Sequence, residues 1–201
     1  MALATARDVT ALIEGFSVET TPASAAKVAS FADHLAPGTT VNVTFLPGSE
    51  IADTIAVATR LRREGFEPVP HIAARSVADA AMLDRTLGRL ADEAGVTQAL
   101  TIAGGLDRPV GTFASSMDIL ATGLFETHGI RKIGVAGHPE GSPDIDETAL
   151  KDALLWKNRF AACISRPSSV STPPPSSPGT SASAPGATSC RFISGCPAWR
   201  R

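Results

Sequence analysis

The sequence predicts an α/β fold of about five βα units, followed by a disordered tail. Three observations predict it. Short segments rich in Val, Ile and Thr alternate with longer segments whose apolar residues recur at helical spacing. Gly and Pro punctuate the junctions between them. From Cys163 to Arg201 there is no Asp, Glu or Lys, and seven of the 15 prolines lie there.

The elements follow in order. Residues 13–20 (IEGFSVET) read as a first strand, and Pro22 opens an Ala-rich helix reaching Leu35. Residues 40–46 (TVNVTFL) alternate and are β-branched, which suits a second strand. Pro47-Gly48 breaks it, Ser49 is the expected N-cap of a helix over about 50–64, and Gly65 closes that helix. Residues 67–73 (EPVPHIA) form a proline-containing third strand. Ser76 opens a helix to Ala94, with Val77, Ala80, Ala81, Leu87 and Leu90 as its apolar stripe and Gly95 as its end. A fourth strand at 98–103, a helix over 113–128, a fifth strand at 132–137 and a helix from Asp146 to Phe160 complete the pattern.

Strands separated by helices pair in parallel through right-handed crossovers. No G-x-G-x-x-G follows the first strand, so a nucleotide-binding sheet is disfavoured and a partial TIM (β/α)8 barrel preferred. Chemistry in such barrels sits at the C-terminal strand ends. Glu19, Thr44, His71, the loop from Gly104 and His138-Pro139-Glu140 are then the residues to watch.

Composition narrows the function. With 43% apolar and 19% charged residues, the chain is neither collagen, coiled coil nor wholly disordered. A net charge of −2 gives no reason to expect nucleic acid as a partner. No run approaches 18 apolar residues, so no membrane span is expected. Residues 1–15 contain Arg7, Asp8 and Glu14, which rules out a signal-peptide core there and makes the cytoplasm the default compartment. Cys163, Cys190 and Cys196 all lie in the tail, with neither the even count of a disulfide framework nor the spacing of a zinc site. No metal site is expected.

Five segments resemble the methylenetetrahydrofolate reductase family. Phe16-Ser17-Val18-Glu19-Thr20-Thr21-Pro22 is similar to that family's F-S-x-E-x-x-P strand end. Val43-Thr44-Phe45 with Gly48-Ser49 resembles its second strand and loop, and Pro70-His71-Ile72 its third. Gly104-Gly105-Leu106-Asp107-Arg108-Pro109 resembles its fourth loop, and Ala136-Gly137-His138-Pro139-Glu140-Gly141-Ser142-Pro143 its fifth-strand signature. The likeness is collinear from about residue 12 to residue 160.

The resemblance implies a barrel oxidoreductase in one-carbon metabolism. FAD would relay hydride from NAD(P)H to 5,10-methylenetetrahydrofolate, giving 5-methyltetrahydrofolate. Glu19 matches the family's catalytic glutamate, and partial burial beside Val18 and Phe16 would keep a proton available near neutrality. Thr44, His71, Gly105, Asp107, His138, Pro139 and Glu140 are the implied cofactor-binding residues. The expected partners are the folate and the reduced nicotinamide, with a homo-oligomer allowed. The fourth loop departs from the pattern, because Leu106 stands where the family has the Asp that tunes the flavin and contacts the pterin. Asp107 follows one residue later. No lysine is expected at the reactive end of any strand, which argues against Schiff-base chemistry. Truncated as translated, such an oxidoreductase need not be active; the alternative is a non-catalytic folate- or flavin-binding remnant.

The chain thus divides into a truncated barrel at 1–161 and a Ser/Pro-rich tail at 162–201. The tail reads as out of frame. Shifting the frame from Cys190 to Arg200 permits P-I-H-I-G-L-P-G-L-A, and from Arg166 to Gly179 it permits T-Q-F-x-F-D-A-A-P-V-I-A-W. Both strings look like the family's continuation. As translated, 163–201 offers too few apolar side chains to offset the cost of ordering it.

Overall fold

The computed structural model describes residues 15–136 and 146–160. Five strands alternate with helices. They are β1 (Ser17–Thr20), β2 (Thr40–Val43), β3 (Glu67–Ala73), β4 (Gln98–Ile102) and β5 (Lys132–Val135). All pair in parallel, in the order β1-β2-β3-β4-β5, so each strand's neighbour is the next one in sequence. The helices are α1 (Pro22–Ala25), α2 (Ile51–Arg63), α3 (Ala80–Ala94), α4 (Ser116–Ala121), α5 (Leu124–Thr127) and α6 (Glu147–Phe160). None of the described helices is long and apolar enough to cross a membrane.

Alternation along the strands builds the core. Val41, Val43, Ile72, Ala99, Ile133 and Val135 point to the helix side and are buried. They meet Ile55, Ala58 and Leu61 of α2 and Leu83, Leu87, Leu90 and Ala94 of α3, which recur at helical spacing. Burying each of the larger side chains contributes roughly 1.5–3 kcal/mol. The bounds of β3 match the sequence expectation. Pro68 and Pro70 hold the residues before them extended, and both precede the stretch that pairs with β4, whose register with β3 begins at His71.

Four sequence expectations need correction. Ser49 does not cap α2; Glu50 holds the cap position and makes no side-chain cap bond. Ser76 lies in a 3-10 turn (Ala74–Ser76), and α3 starts later because the Asp79 carboxylate accepts from Met82 N at 2.6 Å. The expected helix over 113–128 is two helices, since Gly123 adopts φ 72° and cannot continue a right-handed helix.

The Ala-rich segment 22–35 is likewise not one helix. After α1, Ser30 caps a separate 3-10 turn at Phe31–Asp33. The cause lies on α2. Arg60 donates to Ala25 O at 2.9 Å, Val28 O at 2.7 Å and Ala29 O at 3.0 Å. Its guanidinium also stacks 5.2 Å from the Phe31 ring centroid and pairs with Glu64 Oε1 at 2.6 Å. Glu64 Oε2 accepts from Phe31 N at 2.7 Å. Three carbonyls of the segment are thus tied to one arginine, while Ala25 O also accepts from Val28 N at 3.1 Å, three residues on, in a 3-10 rather than an α-helical bond. Burial pushes the Glu64 carboxyl up, but its bonds to Arg60 and Phe31 N and the Arg60 charge outweigh that and hold it below its ordinary range.

Arg60→Ala is expected to destabilise the chain by about 3 kcal/mol, because hydrogen bonds to charged groups contribute roughly 1.5–3 kcal/mol each without adding fully. Arg60→Lys should recover less than half, since an ammonium lacks the planar fork. Urea denaturation of the three proteins checks this; equal midpoints would show that the segment holds itself.

Candidate functional site

The face of the sheet opposite the helices carries polar chemistry. Glu19 pairs in register with Asn42, and Asn42 with Val69. One residue past β2, Thr44 comes alongside His71, which pairs with Leu100. By alternation, Glu19, Asn42, Thr44, Val69, His71 and Leu100 share this face. Val43 is fully buried on the other side, and Phe45 there lines a small apolar cavity with Ile51, Ile72 and Met82.

Three of the sequence-derived site residues come together. The Thr44 hydroxyl donates to Glu19 Oε1, while Thr44 N donates to Thr20 O at 2.8 Å and fixes the backbone. His71 is close enough to feel the charge of Glu19. Burial pushes the His71 imidazole down to about 4, and the Glu19 charge opposes this without reversing it. His71 is therefore neutral at pH 7.

Glu19 departs from expectation. It is exposed, and Phe16, which was to shield it, is 51% exposed. The strand is short and lies at one side of the sheet, so among the described residues its end has a paired neighbour on one side only. The burial that the acid role calls for is not supplied by the strand's own apolar residues.

The β4 loop is held by a residue that the sequence reading missed. Arg75 donates through Nη1 to Leu106 O and through Nε to Ala114 O, both at 3.0 Å. Its own N–H donates to Ala103 O at 2.9 Å, and its carbonyl accepts from Val110 N at 2.8 Å. An arginine directly after a buried strand was the available signal. Gly104, at φ 94°, passes so close to β3 that an added Cβ would sit 3.0 Å from Ala73 Cβ. Gly105 and Asp107 are exposed. His138, Pro139 and Glu140 lie outside the described residues, as does the tail at 162–201.

Gly111 closes this loop against α3's approach. A Cβ there would lie 1.7 Å from Ala78 O and 2.4 Å from its carbon, which no rotamer change relieves. Gly111→Ala should cost about 2 kcal/mol, the scale of overpacking, and release the Val110–Arg75 bond. Thermal melting with amide exchange at Val110 tests this. Unaltered protection would mean that the loop has another seat.

One helix lysine reaches a strand end. Lys157 of α6 donates through Nζ to Ala136 O at 3.3 Å, directly after β5, and burial lowers its ammonium from the ordinary range. It reaches the strand from a helix distant in sequence, so strand inspection alone could not find it. Asn42 is a third residue the sequence reading passed over, although a polar residue between Val41 and Val43 was its signal. Among the described residues no three His, Cys, Asp or Glu side chains are grouped to hold a metal. The sequence matches no protein-family model.

Proposed function

We propose that the five parallel strands are the first five of a (β/α)8 barrel and that the chain is an oxidoreductase of the methylenetetrahydrofolate reductase type. The observation that carries this is the convergence of Glu19, Thr44 and His71, from three successive strands, at one end of one face. Parallel barrels place reacting groups at that end. FAD, when bound, would supply the hydride relay from NAD(P)H to 5,10-methylenetetrahydrofolate. Glu19 is the acid that assists opening of the folate's five-membered ring, and Thr44 orients its carboxyl. His71, being neutral, suits the uncharged edge of a flavin ring better than its phosphates.

The fit is weaker at the β4 loop. Leu106 cannot accept a hydrogen bond through its side chain, and its carbonyl is occupied by Arg75. This favours a second reading, a folate- or flavin-binding remnant without turnover. The test is the absorption spectrum of the purified chain after flavin titration, followed by NAD(P)H and then 5,10-methylenetetrahydrofolate. Flavin reduction followed by folate-dependent reoxidation supports the enzyme. Flavin or folate binding without either step supports the remnant, and binding of neither ligand overturns both.

A further inference from the structure

Two polar atoms on the face opposite the helices are sealed from solvent and have no partner: Asn42 Oδ1 and His71 Nε2. Asn42 is 2% exposed and His71 6%. Asn42 Nδ2 donates to Val18 O at 3.3 Å, which sets the amide's orientation and leaves Oδ1 as the free acceptor. Leaving a buried polar atom unpaired costs roughly 1–3 kcal/mol, and protein interiors commonly avoid it with an ordered water. Asn42 pairs with Val69, and His71 is two residues further along the same strand and face. Strand geometry then puts their backbones about 8 Å apart, from roughly 4.8 Å across and 6.6 Å along. One small molecule making two hydrogen bonds across that span would satisfy both atoms.

We propose that Asn42 and His71 hold one ordered water between them, and that this water keeps the ring proton of His71 on Nε2. Oδ1 can only accept, so the water must donate to it. Neutral His71 carries one ring proton. With that proton on Nε2, the bonds run head to tail from ring to water to amide and polarise one another. A water donating to both atoms would instead leave both of its lone pairs unused inside the protein. Asn42 is therefore a positioning residue, and Nδ1 of His71 is left as an acceptor. A ligand group meeting Nδ1 must then be a donor, such as a ring N–H. The water and the tautomer do not depend on the flavin reading.

Long-range proton–nitrogen correlation spectra of the full-length 15N-labelled chain at pH 7 test this. The expected pattern has Nε2 protonated and Nδ1 bare, with a water cross-peak to the Nε2 proton. A protonated Nδ1, or no water cross-peak, overturns the proposal. Asn42→Leu should raise the Nδ1-protonated form at least several-fold, and an unchanged tautomer ratio also overturns it. The wild-type spectrum decides the matter even where Asn42→Leu does not fold.

Discussion

If the chain is the reductase proposed above, replacing Glu19 with Gln will lower the turnover of 5,10-methylenetetrahydrofolate by about 10²–10⁴-fold, the range typical of a lost general acid. On the same proposal, reduction of the flavin by NAD(P)H will proceed at its original rate, because that half-reaction needs no ring opening. The amide keeps the size of the carboxyl and can still meet the Thr44 hydroxyl, so the strand ends keep their geometry. Stopped-flow measurement of the two half-reactions separates them. If both slow equally, Glu19 positions the ring and is not the acid. If neither slows, the proton comes from elsewhere.

Acid will destabilise the chain through His71. The folded imidazole titrates at about 4 against an ordinary value of 6.5. The sign follows from the lowered value. Above about 6.5 both folded and unfolded chains hold a neutral ring, and the full stability is present. Between 6.5 and 4 only the unfolded chain takes up the proton, so stability falls as pH falls. At 1.36 kcal/mol per unit, the loss reaches roughly 3 kcal/mol by pH 4. Glu64 adds a loss of its own below its ordinary range, but does so equally in a His71 variant. The discriminating measurement is therefore the difference between pH 7.5 and pH 4 in urea stability, for wild type and for His71→Gln. The variant should lose about 3 kcal/mol less than wild type. Parallel pH profiles would mean that His71 meets water in the folded chain.

Legibility in the sequence tracked the range of the forces involved. Strand β3 and helices α2 and α3 rest on local period, a left-handed Gly95 and a nearby carboxylate, so their existence and type could be read directly. The segment 22–35 could not, because its carbonyls are claimed by a guanidinium about 30 residues away. Glu19, Thr44 and His71 could be singled out because each lies within two residues of the C-terminal end of a recognisable strand. The exposure of Glu19 was not, because it depends on what lies beside β1. Arg75 and Lys157 were missed for a shared reason: each is defined by a backbone carbonyl it reaches, and residue type does not announce that.

The sequential order of the strands bears on how the chain is made. Each strand docks on one that the ribosome has already released, so every pairing closes a short loop. Arg60 and Glu64 reach back to carbonyls and an amide that have also already emerged. The β1–β2 and β2–β3 pairings can both form once Ala73 is free. Synthesis and folding can then run in the same direction, with the growing edge of the sheet always the youngest strand.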